Sequence, residues 1–338
     1  MEYAAVSAEL TASDDLPGLG ASQGRLDRWS VREGANWLVT QVEAAIRVAR
    51  IADGPDTVFA WQRSWPAPDP EEEHAYCSPV PGGGLAVSGR HRITVCDADG
   101  GVRWVYEHAA WSERNMGYGA CTPDPSGSHL LATIAATVEP GRTYPGDLCV
   151  ALDLATGKPL AETVLPSSSA MYEFQQSLAP QAEVFLTVGQ GQDDAHSFLV
   201  ALQKGMLHVT GVGIPDEPFT GNSIAADDFL KMAIAGDYLA RYRPGSQAPV
   251  TAEAEAVLPD GLVFAGLPGF LDHHRILAAA AEDPWGEESR HFILDARTLR
   301  PLAELRYPMP VDLPPLPLGD GTWLTVAKDQ VSRWQTEK

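Results

Sequence analysis

Apolar residues in this chain come in short runs, broken by Pro, Gly and Asp at near-regular intervals. "GLAVSG", "ITVCD", "VRWVYE", "LLAT", "LCVALD", "VFLTVG", "HFILD" and "TWLTVA" are of this kind. Runs of 5–8 residues rich in Val, Leu, Ile, Ala and Thr predict strands, since a helix would need longer stretches with a 3.6-residue period. The punctuation predicts tight turns between them. Two stretches set the spacing. "CSPVPGGGLAVSG" starts at Cys77 and "CTPDPSGSHLLAT" at Cys121, 44 residues apart, and both read Cys-[Ser/Thr]-Pro-x-Pro-x-Gly. Each unit then reaches a second turn. "ITVCDADGGVRWVYEH" (93–108) places Asp97 four residues before Gly101, and "LCVALDLATGKPLAETVLP" (148–166) places Asp153 four before Gly157.

Weaker copies follow at 172–213, 219–259, 262–308, where Asp295 takes the second turn, and 311–336. Each reads strand a, tight turn, strand b, variable loop, strand c, Asp-led turn, strand d. Residues 26–66 supply one more unit, although "WLVTQVEAAIRVARI" (37–51) also reads as a helix. Repetition at about 40–50 residues with several short strands per unit is the signature of a propeller or solenoid. The last unit stops after its third strand, and the N-terminal "EYAAVSAEL" is strand-like without another partner. The expectation is therefore an all-β chain, one domain over residues 1–338. It is a seven-bladed β-propeller of four-stranded antiparallel blades at 26–66, 75–108, 118–166, 172–213, 219–259, 262–308 and 311–336. Residues 2–10 complete the last blade, which removes an exposed edge. Six or eight blades are the alternatives.

The turns "CTPDPSG" and "CSPVPGG", with "ALDLATG" (151–157), "VCDADGG" and "ILDARTL", resemble those of the WD40-like and quinoprotein-like β-propellers. The likeness extends over most of the chain as a degenerate repeat. It departs from that group in lacking a regular Trp-Asp at the end of each blade and a Gly-His at its start. The Trp that follows the Asp-x-x-x-Gly turn in quinoprotein repeats is approximated by Trp104 alone, and there are no adjacent cysteines. The resemblance implies the fold and argues against a quinone, so no cofactor is expected. Function does not follow from such a fold.

A net charge of −21 over 338 residues excludes the clustered basic surface that nucleic acid requires, and disfavours an anionic membrane. It reads first as solubility, with a cationic partner as the sharper alternative. No apolar run reaches the ~18–20 residues of a membrane span. The start, "MEYAAVSAELTASDD", has neither the basic region nor the apolar core of a secretory signal. Four cysteines are too few for a disulfide scaffold. These features predict a cytoplasmic protein, and the Arg, Ala, Gly and Pro usage resembles that of high-GC bacteria.

In a propeller the a–b and c–d turns share one face and the b–c and d–a loops the other. Here the first set is short and the second long, as in "TVEPGRTYPGD" (137–147), "GQGQDDAHS" (189–197), "EDPWGEESR" (282–290) and "AAWSERNMGYG" (109–119). Long loops on a rigid scaffold collect binding residues. The functional surface is placed on that face, around the channel mouth. The repeat register puts His74, Tyr118 and Glu173 at one position where strand a enters the channel. Glu113, Arg114 and Asn115 adjoin it, and Trp111 and Trp285 are stacking candidates on the same face. The leading expectation is a non-catalytic scaffold recognising a protein or peptide. The alternative is a hydrolase, lyase or isomerase acting on a small molecule, with His74 as general acid or base, Glu173 its carboxylate partner and Tyr118 polarising a substrate oxygen.

Other motifs weigh little. "GASQG" (20–24) lacks the strand and helix of a nucleophile elbow. His273 and His274, read as strand neighbours, point to opposite faces, and no zinc spacing supports them, so no metal is expected. "DADGG" is a plain turn, and the acidic run "PDPEEE" (68–73) a solvated loop.

Overall fold

The computed structural model describes residues 3–16, 25–29, 35–42, 45–67, 76–111, 119–137, 143, 145–165, 171–176, 184–190, 194–212, 219–222, 228–233, 235–242, 248–284, 289–311 and 314–337. The chain begins with β1 (Ala4–Asp15). β2 (Arg25–Trp29), β3 (Ala35–Val42), β4 (Ala45–Ile51) and β5 (Phe59–Pro66) make a first four-stranded sheet. A second holds β6 (Tyr76–Val80), β7 (Gly84–Ser88), β8 (Arg92–Cys96) and β9 (Val102–Glu107). A third holds β10 (Cys121–Pro123), β11 (His129–Ile134), β12 (Leu148–Asp153) and β13 (Pro159–Val164). A fourth holds β14 (Met171–Gln176), β15 (Val184–Gln190), β16 (Asp194–Gln203) and β17 (Met206–Gly211). A fifth holds β18 (Phe219–Asn222), β19 (Phe229–Met232), β20 (Tyr238–Tyr242) and β21 (Val250–Glu253), followed by the single-turn helix α1 (Ala254–Val257).

The remaining strands are β22 (Val263–Phe270), β23 (Arg275–Ala281), β24 (Arg290–Asp295), β25 (Pro301–Arg306), β26 (Leu316–Pro317), β27 (Trp323–Ala327) and β28 (Gln330–Thr336). With β1 they form one eight-stranded sheet, ordered β22-β23-β24-β25-β1-β28-β27-β26. β1 changes partner along its length. Residues 8–15 run antiparallel to β28, from Ala8↔Thr336 to Asp15↔Gln330, while residues 4–7 run parallel to β25, from Ala4↔Ala303 to Ser7↔Arg306. The antiparallel part thus starts later than the expected 2–10.

The protein is all-β, in four-stranded antiparallel meanders. Residues 37–51 are strands: β3 pairs with β4 from Trp37↔Arg50 to Val42↔Ala45. The burial pattern explains the composition. β7, "GLAVS", is buried along its whole length, and β11 and β23 nearly so, because neighbouring sheets cover both faces of the middle strands. The last strands alternate: β9 "VRWVYE" and β13 "PLAETV" turn every second residue to solvent. Cys77 packs with Trp37, Val39 and Ile46 of the preceding sheet. Cys121 packs with Val80, Ala86 and Ile93 of its own preceding sheet, so the repeated cysteine is a small apolar contact between sheets. All four thiols are buried and none is in a disulfide, and burial pushes Cys149 up to about 12.

The short turns lie together. The Leu154 N–H donates to the Ser128 carbonyl at 3.0 Å and Ala296 N–H to His274 at 2.8 Å, tying each c–d turn to the a–b turn of its sheet. Asp153 accepts from the Thr156 N–H (2.8 Å) and hydroxyl (2.7 Å), and Asp295 does the same with Thr298. The next position needs a left-handed backbone. Gly157 meets it at φ +71°, and Leu299, in the corresponding place, at φ +57°.

These turns also receive the neighbouring sheet. Trp65 Nε1 donates to the Asp97 carbonyl and Trp104 Nε1 to Leu154, each at 2.9 Å. Two arginines do the same work from a repeated pattern, Asp-x8-Asp-x3-Arg-aromatic, at 228–242 and 320–334. Arg241 Nη1 reaches Ala296 O at 2.5 Å, with Asp228 3.7 Å from its Nε. Arg333 is fully buried. Its Nη1 donates to the carbonyls of Ala52 (2.7 Å), Gly54 (2.5 Å) and Thr57 (3.2 Å), its Nε to Thr322 Oγ1 (3.0 Å) and its Nη2 to Asp320 (2.6 Å). One guanidinium therefore joins β28 to the segment after β4, tying the last sheet to the first.

Candidate functional site

On the opposite face, loops stack on loops. The Trp111 N–H donates to the Arg90 carbonyl and His108 N–H to His91, each at 2.9 Å, so the segment after β9 lies on the b–c turn of the same sheet. His74, Glu113, Arg114, Asn115, Tyr118 and Trp285 fall outside the described residues. Trp111 and Glu173 are described, and both adjoin β14. The Trp111 ring, 2% exposed, tilts against Tyr172 at 5.6 Å between centroids. The Tyr172 hydroxyl donates to the fully buried carboxylate of Asp147. Strand alternation then separates the two candidates. Tyr172, Phe174 and Gln176 face the third sheet, where Gln176 Nε2 donates to Thr122 Oγ1 at 3.0 Å and to the Pro123 carbonyl. Glu173 projects from the other side of the strand, half-buried, and accepts from Gln175 Nε2 at 3.4 Å. Trp111 is an anchor beneath the surface, and Glu173 stands nearer to solvent.

The structure adds polar atoms that spacing alone does not reveal. Ser88 Oγ, His108 Nε2 and Trp111 Nε1 are buried without a hydrogen-bond partner. His108 Nδ1 lies 2.8 Å from the Ala109 carbonyl, which accepts only from an N–H, so Nε2 is the acceptor of that ring. Burial lowers the His108 pKa, which keeps the ring neutral. Trp111 Nε1 is a donor, His108 Nε2 an acceptor and Ser88 Oγ can be either. The sequence carries no signal for Ser88 or His108, since their isolation arises only from packing.

A second polar chain joins the last two units. Trp323 Nε1 donates to Tyr307 Oη at 3.0 Å, which lies 2.8 Å from His291 Nδ1, and His291 Nε2 lies 3.1 Å from Ser289 Oγ. The order Ser-His-Tyr invites a nucleophile–base reading. Electrostatics argue against it. Burial pushes His291 down to about 4, far from the poise of a general base at neutral pH. Tyr307 accepts from the indole and is itself pushed well up by burial, so its hydrogen serves Nδ1 and the imidazole proton sits on the nitrogen facing Ser289. This is a structural network. His273 and His274 require a correction: they lie in the turn before β23, not in a strand, with ring centroids 3.7 Å apart and both exposed. Among the described residues no three His, Cys, Asp or Glu side chains gather as metal ligands would. No helix among them is long and apolar enough to cross a membrane.

No family model matches the chain, and no curated protein does. Solved structures do. The WD40 domain of Neurospora crassa Pan2 matches over 98% of this chain and 96% of that one, at 10% identity and a TM-score of 0.57. The fold is a β-propeller. BBS1N, in a complex with ARL6DN, matches over 99% and 98% at 15% identity and a TM-score of 0.51. BamB from Moraxella catarrhalis matches over 97% and 99% at 14% identity and a TM-score of 0.46. In this propeller the short turns are engaged in joining sheet to sheet.

Proposed function

We propose that this protein is a non-catalytic seven-bladed propeller that binds a protein or peptide partner through its loop-rich face and channel mouth. Seven blades follow if the eight-stranded sheet is two blades bridged by β1. The chain leaving β1 supports this: Leu16 N–H donates to Asp329 O at 2.8 Å, as Ala254 N–H does to Asp237 O at 2.7 Å after the fourth strand of the fifth sheet. One observation carries the choice of face. The short turns are taken up by Trp65, Trp104, Arg241 and Arg333 from neighbouring sheets. On the loop-rich side Ser88 Oγ, His108 Nε2 and Trp111 Nε1 are buried without partners, as Asn36 Oδ1 and Arg50 Nε are near the short turns, so it is the occupation of the short turns that carries the choice. BBS1N, a structure of similar fold, is a complex with ARL6DN. The net charge of −21 favours a cationic partner, and four buried cysteines outside any disulfide fit a cytoplasmic location. On this reading His74, Tyr118 and Glu173 contact the partner at the mouth, with Glu113, Arg114, Asn115 and Trp285 around them and Trp111 packed beneath.

The test is crosslinked affinity capture from a lysate of the source cells with three proteins: wild type, the triple variant His74→Ala, Tyr118→Ala, Glu173→Ala, and a short-turn control, Lys158→Ala with Arg297→Ala. Loss of a captured band with the triple variant alone supports the assignment. Equal capture by all three, or loss with the control, overturns it.

A further inference from the structure

Two last strands of this propeller begin with the same four residues. β13 reads Pro159-Leu-Ala-Glu-Thr-Val164 and β25 reads Pro301-Leu-Ala-Glu-Leu-Arg306. Both close a meander, and both follow the same Asp-led turn. Their surroundings differ. β25 is capped by residues 4–7 of β1, an extended Ala-Ala-Val-Ser in parallel register. Under that cap Ala303, Glu304 and Leu305 are each buried to 5% exposure or less. β13 is the terminal strand of its sheet. The matching Ala161 and Thr163 are only half-buried and Glu162 is exposed; Leu160, at 45%, is as open as Leu302 at 50%, and Val164 is 49% exposed.

The charges differ as well. Glu304 accepts from Arg290 Nε (2.9 Å) and Nη2 (2.8 Å), and from Arg306 Nη2 (3.0 Å). Glu304 lies opposite Phe292, and Glu162 opposite Val150. Counting two residues along each strand, Leu148 stands where Arg290 is and Val164 where Arg306 is. Among the described residues no cation pairs with Glu162, and the group that feels its charge is the Tyr106 hydroxyl of the adjoining β9.

We propose that the free edge of β13 is a strand-addition site for an extended cationic peptide, with small apolar residues alternating with Arg or Lys so that a cation meets Glu162. β1 on β25 is the intramolecular precedent, and edge pairing followed by side-chain selection is a general mode of peptide recognition. The site lies on the outer rim, away from the loop-rich face, and stands or falls independently of the function proposed above.

The probe is a fluorescein-labelled peptide, Ala-Arg-Val-Arg-Ala-Arg-Val-Ser, titrated by fluorescence anisotropy at low salt. Saturable binding is expected for the wild type and for Glu255→Lys, an exposed charge change in α1, beyond the fifth sheet. Glu162→Lys is expected to weaken it at least about tenfold while keeping the wild-type Tm, because the side chain is exposed; Glu162→Gln is expected to fall between. Peptides N-methylated on alternate amides supply a backbone readout: one phase abolishes binding and the other spares it. No saturable binding, equal binding by wild type and Glu162→Lys, or equal loss with both methylation phases overturns the proposal. So does a dimer in sedimentation that Glu162→Lys dissociates, which would give the edge to a second copy.

Discussion

Replacing Arg333 by alanine tests whether one buried guanidinium holds the first and last sheets together. The variant strips donors from the carbonyls of Ala52, Gly54 and Thr57 and from the Asp320 carboxylate. Breaking a fully buried charge pair by removing one partner typically destabilises by ~3–5 kcal/mol. Asp320 is 36% exposed and keeps the Thr322 N–H and hydroxyl, and the carbonyls lie in a surface segment that water reaches, so the lower end applies. An unfolding entropy of ~2.1 cal/mol/K per residue gives roughly 0.7 kcal/mol/K for this chain, and a loss of ~3 kcal/mol lowers Tm by ~4 °C. Arg241→Ala is the internal comparison. It carries the same repeat position, but Asp228 stands off at 3.7 Å and Ala296 O is the one carbonyl it reaches among the described residues, so about half the drop is expected. Differential scanning calorimetry reads both. Hydrogen exchange adds location: amides of β1 and β28 should lose protection in Arg333→Ala and keep it in Arg241→Ala. A Tm drop below ~1 °C for Arg333→Ala, or one no larger than that of Arg241→Ala, would refute the reasoning.

Gly157→Ala should destabilise by more than the ~1–2 kcal/mol of a left-handed alanine, because its Cβ would stand 2.6 Å from the Trp104 ring. Gly82→Ala, at φ +84° with nothing near, should show the backbone part alone, and tryptophan fluorescence should shift only in the first. His291 is neutral when folded and titrates near 4, against about 6.5 unfolded, so the unfolded chain binds its proton first. Its contribution is fully present above pH 6.5 and is lost between there and 4, at a slope of up to about 1.4 kcal/mol per pH unit. Urea unfolding at pH 7 and pH 5 should show a larger loss for wild type than for His291→Gln. Tyr172→Phe should lose ~1–3 kcal/mol by removing a donor from the buried Asp147 carboxylate, with urea midpoints as the check; an unchanged midpoint would mean that bond is not made in solution.

The meanders were legible because their causes are local. Strands buried on both faces must be apolar throughout, and a Pro-x-Gly or Asp-x-x-Thr turn announces itself within a few residues. The inter-sheet joints were not legible. Arg241 and Arg333 stand 92 residues apart in units that share little else, and the carbonyls each donates to belong to another unit. The parallel pairing of residues 4–7 with β25 has no sequence complement at all, since backbone groups pair without regard to side chains. For the candidate site, the sequence named only a face. Loop length pointed to it, and Trp111 and Glu173 do adjoin one strand. Which side of that strand each occupies, and the isolation of Ser88 and His108, depend on how sheets stack.

β1 also sets a schedule. It is made before every other strand of the propeller, yet its antiparallel partner β28 follows 315 residues after Asp15. At ~5–20 residues per second, its edge waits some ~16–60 s for that partner. Through that interval an extended, mostly uncharged segment stands available to chaperones or to nascent neighbours. A tag fused ahead of Ala4 would be carried to the outer rim, beside the other chain end, where Glu337 N–H already donates to Ser7 O at 3.1 Å.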